Sequence, residues 1–404
     1  MALDHPLEPI EVYRQEVTVN DEEHERYFNE PEQSQLKYRK YNPLSLMNKN
    51  LLLLLACILA VETTFAQNPE QLLLKDYRPK SIYKIPITTV PKAKYPAIDL
   101  HSHPYPKSEA ELTQWVKTMD QVGVEKTVVL SYSTGARFDS IQKQYSKYGN
   151  RFEVWCGFDF TGKDKPGWSK KAVKELERCF KAGARGVGEL GDKGLGEFYS
   201  LPTPGYGLHI DDPRMKPLLQ KCAELKMPIS IHVAEPYWMY EPMDSTNDGL
   251  MNAYQWKIDK TKPGLLGHAA LIKTLENAVR DNPKTTFVAC HYANTEYDLS
   301  ILGTLFDKYP NLYADIAARF GEVAPIPRYM SAFFKKYQDR LVYGTDMGTS
   351  PKMYATTFRI LETLDEHFYD FDQFGYHWYL NGFGLDDATL RKVYRDNALK
   401  ILMK

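Results

Sequence analysis

Hydrophobic and polar residues alternate in a regular rhythm from about Lys94 to the end of the chain. Short runs rich in β-branched and aromatic residues, typical of buried strands, are separated by longer segments with the spacing of amphipathic helices. Eight runs are predicted to be strands: 97–101, 126–131, 152–158, 186–190, 228–233, 286–290, 312–315 and 341–345. Helical spacing lies between them, for example over 108–122, 170–182, 213–225, 271–280 and 299–308.

This alternation predicts the fold class. Eight strands separated by helices over residues 94–404 favour an α/β fold, a (β/α)8 TIM barrel with loop insertions. Asn282-Pro283 and Tyr309-Pro310 mark helix ends just before the sixth and seventh strands. The alternative is an open doubly wound sheet. That fold usually has a glycine-rich phosphate loop after its first strand, and this sequence has none there.

The residues before 94 do not follow this rhythm, and they divide into three segments. Residues 1–46 are polar with mixed charge, which predicts a disordered or mis-annotated extension. Residues 47–66 have the order of a signal peptide: a basic start, an apolar run over 51–61 and small residues before a cleavage site at Ala66. Residues 67–93 are predicted to be a linker. We expect export, periplasmic or secreted, if 47–66 acts as a signal peptide and a cytoplasmic location otherwise; lipid attachment at Cys57 ranks lower.

Composition narrows the function classes. The chain has 51 Lys and Arg against 52 Asp and Glu, so no basic excess indicates a nucleic-acid partner. No apolar run reaches the roughly 18 residues of a stable membrane span. Five cysteines without a CxxC pair indicate neither a disulfide scaffold nor a zinc knuckle, and those after residue 66 are expected to be buried thiols. The sequence leaves open whether the chain forms a homo-oligomer.

The candidate chemistry lies where predicted strands end. Polar side chains follow the first, fifth, sixth and eighth strands: His101, His103, His232, His291 and Asp346. The carboxyl-terminal strand ends of a barrel meet at one rim, and residues i and i+2 of a strand share a face. Each residue alone is more typical of a hydrogen-bonded core histidine or an acidic helix cap. Together they would be costly to bury at one rim without an ion, so they predict a metal site.

This ordered set resembles the amidohydrolase superfamily of metal-dependent barrels, in particular the amidohydrolase-2 group of hydrolases, lactonases and non-oxidative decarboxylases. The resemblance spans about 94–404 and includes the segments 339–346 and 393–402. It implies that His101, His103 and His232 bind a divalent ion, zinc first, with manganese or iron as alternatives. It also implies that Asp346 ligates the ion and serves as the base for its water, while His291 orients that water or polarises the substrate.

Five further residues have open roles. Glu189, at the end of the fourth strand, is expected to bridge a second metal, to act as an acid or base, or to hold the substrate; we expect one metal. Arg319 is predicted to bind a substrate carboxylate or to form a surface salt bridge. Tyr237 and Trp238 lie in an aromatic-rich stretch after the fifth strand, which is predicted to be a substrate-binding lid. Asp99 is expected to accept from an imidazole N–H or to make a structural contact.

These features predict an enzyme that acts on a small molecule. The main hypothesis is a metal-dependent hydrolase that cleaves an ester, lactone or amide bond through a metal-activated water. The alternative is metal-dependent non-oxidative decarboxylation of an aromatic or unsaturated carboxylic acid. A non-catalytic binding protein on the same scaffold comes last, because the whole ligand set is present.

Overall fold

The computed structural model of the protein describes residues 68–403. The predictions for 1–46, for the signal segment 47–66 and for Cys57 lie outside the described residues. Residues 68–96 are mainly extended, with short 3-10 turns at Pro69–Gln71 and Leu74–Asp76. Thr88 anchors this segment, because its N–H and hydroxyl donate to the Asp365 carboxylate at 2.8 and 2.6 Å. In the described part of the chain, no helix has both the length and the apolar character needed to cross a membrane.

All eight predicted strands are present and pair in parallel. They are β1 (Ala97–Ser102), β2 (Val124–Leu130), β3 (Phe152–Trp155), β4 (Val187–Asp192), β5 (Ile229–Val233), β6 (Phe287–Ala289), β7 (Leu312–Asp315) and β8 (Leu341–Val342). The regular ladders join β1 to β3 in order and β4 to β8 in order. Every residue of β1, β4 and β5 is buried, as expected for strands covered on both faces.

Backbone hydrogen bonds outside the regular ladders close the remaining two seams. Between β3 and β4, the Cys156 N–H donates to the Gly186 carbonyl at 3.0 Å, and between β8 and β1 the Leu100 N–H donates to the Tyr343 carbonyl at 2.9 Å. The eight strands therefore form a closed parallel barrel. The predicted (β/α)8 fold is confirmed, and the open-sheet alternative is wrong.

Helices cover the outside of the barrel. They are α1 (Glu109–Val122), α2 (Gly135–Tyr145), α3 (Trp168–Lys181), α4 (Lys216–Glu224), α5 (Leu250–Trp256), α6 (His268–Asp281), α7 (Leu299–Lys308), α8 (Phe320–Val323), α9 (Pro327–Tyr337), α10 (Pro351–Glu362), α11 (Asp387–Arg391) and α12 (Asn397–Leu402). The first shows how the sequence fixes its ends: the Ser108 side chain accepts from the Glu111 N–H, and Gly123 ends the helix at φ 82°. The five helices that the spacing predicted are all present.

Two strands next to the candidate site residues end earlier than predicted. The structure ends β6 at Ala289 and β8 at Val342, so His291 and Asp346 lie in the turns that follow rather than at strand ends. Their φ angles are 58° and 50°, in the left-handed region that non-glycine residues enter at a cost of about 1–3 kcal/mol. Gly344 lies between β8 and Asp346, and a Cβ there would lie only 2.8 Å from the His101 Cβ. A glycine therefore lets this turn approach β1 closely.

Candidate metal centre

Six polar residues meet at the carboxyl-terminal rim of the barrel and are called the rim cluster here: His101, His103, Glu189, His232, His291 and Asp346. They come from β1 and the residue that follows it, from β4 and β5, and from the turns after β6 and β8. All but Asp346 are buried, and His101 is 0% exposed. The structure thus brings together the residues that the strand-end pattern selected, with Glu189 among them.

Glu189 lies in the middle of the rim cluster. Its Oε1 is 2.9 Å from His232 Nδ1 and 3.4 Å from His291 Nε2. Its Oε2 is 3.5 Å from His103 Nε2 and 3.9 Å from His101 Nε2. Each carboxylate oxygen therefore faces a different pair of imidazoles. The role of Glu189, as a metal bridge, an acid or base, or a substrate contact, stays a prediction.

Asp346 closes the other side of the rim cluster. Its Oδ1 is 3.1 Å from His103 Nε2, and its Oδ2 is 3.8 Å from His101 Nε2 and 3.9 Å from His291 Nε2. The Tyr105 hydroxyl donates to Oδ1 at 3.0 Å, and the Asp346 N–H donates to the His101 carbonyl at 2.9 Å. Both the side chain and the backbone of Asp346 are thereby held beside the His-x-His pair.

Fixed hydrogen-bond acceptors orient three of the imidazoles. His103 Nδ1 lies 2.9 Å from the Leu130 carbonyl, and His291 Nδ1 lies 2.9 Å from the Ala317 carbonyl. His232 Nε2 lies 2.8 Å from the Ala234 carbonyl. Because a carbonyl can only accept, each of these nitrogens carries a proton, and the other nitrogen of each ring is the one that faces the carboxylates of the rim cluster and would bind an ion. His103 and His291 thus offer Nε2, and His232 offers Nδ1.

The surroundings of His101 test most directly whether the rim cluster fits a metal ion. Its Nδ1 lies 2.9 Å from Asp315 Oδ2, while its Nε2 is buried without a hydrogen-bond partner in the described residues. A buried polar atom without a partner is costly, and an ion at this position would satisfy it. Burial alone would lower the pKa of His101, but the charges of Asp315 and Asp346 outweigh it and raise the pKa to about 9. The site therefore attracts positive charge.

The ligand atoms fall into groups small enough to hold an ion. One group is His101, His103 and Glu189, and another is Glu189, His232 and His291; within each group the ligand atoms lie within 4.8 Å of one another. A third group combines His101 and His291 with Asp315. Imidazole nitrogens with carboxylate oxygens suit zinc, manganese and iron. The residues present therefore fit a divalent metal.

Asp315 is the functional residue that the sequence analysis missed. It supports His101 through Oδ2, and its Oδ1 accepts the His291 N–H at 2.8 Å. Asp99, the residue considered for that imidazole contact, instead accepts from the Thr345 N–H at 3.0 Å and hydroxyl at 2.7 Å. The prediction of a structural contact for Asp99 is thus the one the structure supports. The signal for Asp315 was its place at the end of the seventh strand.

Arg319 is buried rather than on the surface, with 8% of it exposed, so the surface salt-bridge alternative is wrong. Its Nε and Nη2 donate to Asn294 Oδ1 at 3.0 and 2.7 Å, and its Nε lies 3.2 Å from Glu322 Oε2. The Asn294 amide in turn donates to the Val233 carbonyl at 3.0 Å. Arg319 therefore joins the turns that follow β5, β6 and β7. Its role in binding a substrate carboxylate stays a prediction.

The predicted aromatic lid packs against two other segments. Tyr237 stacks on Tyr297 with ring centroids 4.2 Å apart, and Trp238 lies 5.9 Å from Trp378. The late segment that contains Trp378 had no predicted place. It is held over this region by the Tyr376 hydroxyl, which donates to Glu322 Oε1 at 2.7 Å. Contact of Tyr237 and Trp238 with a substrate stays a prediction.

Tyrosines border the opposite side of the rim cluster. The rings of Tyr105 and Tyr132 lie 5.8 and 5.9 Å from His103, and Tyr199 lies 6.4 Å from Tyr132. A groove of about 280 Å³ opens beside Tyr105, between the start of α1 and the start of α10. A flat ligand would find aromatic surface here.

A comparison with models of protein families shows which family the chain belongs to. The model of the amidohydrolase family Amidohydro_2 matches residues 98–403, a range that contains the whole rim cluster. The chain belongs to the amidohydrolase family. This amidohydrolase is therefore a metal-dependent enzyme, as the strand-end residues predicted. A comparison with curated proteins gives no match.

Solved structures with a similar fold include three whose descriptions name an enzyme. A 2,6-dihydroxybenzoate decarboxylase from Rhizobium has 15% identity and a TM-score of 0.46, covering 76% of this chain and 99% of its own. A putative amidohydrolase from Staphylococcus aureus has 14% identity and a TM-score of 0.49, covering 76% and 99%. A 5-carboxyvanillate decarboxylase from Novosphingobium aromaticivorans, complexed with manganese, has 14% identity and a TM-score of 0.45, covering 79% and 100%.

Proposed function

We propose that this amidohydrolase hydrolyses an ester, lactone or amide bond of a small molecule with divalent metal held by the rim cluster. The observation that carries the proposal is the placement of Glu189, whose two oxygens face two different pairs of imidazoles. This division suits two ions that share one carboxylate, in place of the single ion expected from the sequence. Paired ions of this kind are typical of hydrolytic sites.

The residues of the rim cluster would have different roles in the reaction. When bound, divalent metal polarises a substrate carbonyl and lowers the pKa of water from 15.7 towards about 7. Asp346 would take a proton from the attacking water and pass it to the leaving group; its contacts with three imidazoles and with the Tyr105 hydroxyl support this role. His291, fixed through Nδ1, presents Nε2 towards the same space. Zinc is the first choice of metal, with manganese or iron as alternatives.

The proposal is tested by exchanging Asp346 for asparagine, which keeps the shape and removes the base. Asp346→Asn should stay folded and retain metal, while hydrolysis of a screened ester or lactone falls by roughly 10²–10⁴-fold. Circular dichroism and elemental analysis control for fold and metal. Near-normal turnover in this variant would contradict the assigned role.

The second candidate is decarboxylation of an aromatic carboxylic acid. The three tyrosines beside His103 favour it, because they offer a stacking surface for a flat ring. It is also the activity by which two of the similar solved structures are described. Carbon dioxide release from a panel of hydroxybenzoates, measured on the same metal-loaded preparation as ester and lactone hydrolysis, separates the two candidates. Release without any hydrolysis would replace the first proposal by the second.

A further inference from the structure

Next to the rim cluster, three buried carboxylates share two cations. Glu235, Glu296 and Glu322 come from the segments that follow β5, β6 and β7, and each is at most 5% exposed. The cations that pair with these carboxylates are Lys193 and Arg319, whose side chains are 27% and 10% exposed. If all three carboxylates are ionised, one negative charge lacks a counter-charge. Burying an uncompensated charge is costly.

The contacts show which carboxylates are already paired. Lys193 Nζ forms an ion pair with Glu235 Oε1, whose other oxygen lies 3.9 Å from Arg319 Nη2. Arg319 Nε lies 3.2 Å from Glu322 Oε2. Glu322 Oε1 accepts from the hydroxyl of Tyr376 at 2.7 Å. Both cations are therefore engaged without Glu296.

Of the three carboxylates, Glu296 is the one that forms no ion pair with Lys193 or Arg319 in the described residues. It is 4% exposed, and neither of its oxygens has a hydrogen-bond partner in the described part of the chain. Burial and the charge of Glu322 raise the pKa of Glu296 to about 8, against the opposing charge of Arg319. Protonation would remove the charge but would still leave both oxygens without a partner. The Tyr240 hydroxyl, which feels the charge of Glu235, is likewise buried without a partner.

We propose that Glu296 binds a primary ammonium group of the substrate beside the rim cluster. An ammonium would supply a positive charge in place of the carboxyl proton, and its three N–H donors match the two Glu296 oxygens that have no hydrogen-bond partner in the described residues. Glu235 links this subsite to the reaction site, because its Oε2 lies 3.7 Å from His232 Nε2. The proposal rests on the hydrolase function proposed above and specifies its substrate class: small esters, lactones or amides that carry an amine.

Binding of a simple amine tests the subsite without any need for turnover. Ethylammonium chloride is titrated calorimetrically into the metal-loaded protein at constant ionic strength, with sodium and potassium chloride in parallel. We expect saturable ethylammonium binding that weakens at least tenfold in Glu296→Gln. Glu366→Gln removes a carboxylate from an exposed position and should bind as the wild type does. Equal binding by Glu296→Gln, no ethylammonium binding, or equally tight sodium or potassium binding would overturn the proposal.

Substrate preference gives the second readout. β-Alanine ethyl ester and ethyl butyrate have the same length and differ in an ammonium against a methyl group. We expect the wild type to favour the amino ester by at least tenfold in kcat/KM, and Glu296→Gln to lose that ratio. An unchanged ratio would overturn the subsite. If neither ester nor any other tested ester, lactone or amide is hydrolysed, the hydrolase proposal fails, while the calorimetric result still decides whether Glu296 binds ammonium.

Discussion

At the scale of single residues, hydrogen bonds to the backbone decide what the rim cluster can bind. The Leu130, Ala234 and Ala317 carbonyls each hold one ring nitrogen of a histidine in the protonated form. The opposite nitrogen faces the carboxylates of the rim cluster, which is the side on which metal would bind without any rearrangement of the ring. His101 differs, because a carboxylate, Asp315, takes the place of the carbonyl. The metal site is therefore organised by residues that need not touch the metal.

Asp315 provides the sharpest test of this organisation. Asp315→Ala removes the acceptor from His101 Nδ1 and from the His291 N–H, so both residues lose their fixed orientation. Metal affinity should fall by about 10–100-fold, measured by competition with a chromogenic chelator. Asp339→Ala, which removes an exposed carboxylate just before the start of β8, should leave the affinity unchanged. Wild-type affinity in Asp315→Ala would contradict the role.

The raised pKa of Glu296 predicts that the stability of the protein depends on pH. Its folded pKa of about 8 lies above the value of 4.5 for a free glutamate, because burial and Glu322 outweigh Arg319, with Glu235 adding to the rise. Between pH 4.5 and 8, Glu296 holds a proton in the folded protein that it has lost in the unfolded chain. The contribution of Glu296 to the free energy of unfolding therefore falls as the pH rises through this range.

Denaturant unfolding of wild type and Glu296→Gln at pH 5.5 and 8.5 checks this dependence. Relative to the variant, the wild type should lose unfolding free energy at the higher pH. A difference between the two proteins that is the same at both pH values would rule out the raised pKa.

At the scale of elements, short strands and tight turns set the distances in the site. The turn after β8 carries Asp346 next to the end of β1, and Gly344 is the residue that permits the approach. The turns after β5, β6 and β7 are joined by Arg319 and Asn294, so they form one connected rim rather than independent loops. The late segment with Tyr376 is tied to the same rim through Glu322.

Gly344→Ala tests the close approach of this turn to β1. The added Cβ would meet the His101 Cβ at 2.8 Å, so the turn or β1 must shift. We expect a loss of about 1–3 kcal/mol in the free energy of unfolding, together with weaker metal binding. Gly375→Ala is the matched control, because a Cβ there has no atom within 4 Å. Equal stability and metal content in the two variants would show that the approach at Gly344 is unimportant.

At the scale of the whole molecule, the features that can be predicted from the sequence are those that depend on its local pattern of hydrophobic and polar residues. The strands were found because each is a short buried run, and the ligands were found because they follow those runs. Contacts between loops that are far apart in the chain leave no such pattern in the sequence. The environment of Arg319, the support from Asp315 and the position of the 374–379 segment all depend on how loops far apart in the chain fold against each other. His268 is buried and its Nε2 lies 2.7 Å from the Asn294 carbonyl, another contact between segments far apart in the chain.

Export is a separate prediction about the whole chain. The apolar run over 51–61 followed by Ala66 predicts cleavage before Gln67. The mature protein, isolated from its native cells, should begin at Gln67 and be recovered outside the cytoplasm. Amino-terminal sequencing checks the cleavage site, and a chain that still carries residues 47–66 in the cytoplasmic fraction would contradict the prediction.

The central claim is that the imidazoles and carboxylates of the rim cluster hold divalent metal. Anomalous X-ray diffraction from crystals of the purified enzyme, collected on both sides of the zinc, manganese and iron absorption edges, tests it most directly. We predict anomalous peaks within coordination distance of Glu189, one beside His101 and His103 and one beside His232 and His291. An active enzyme with no peak among these residues, or with its metal bound elsewhere, would contradict the account.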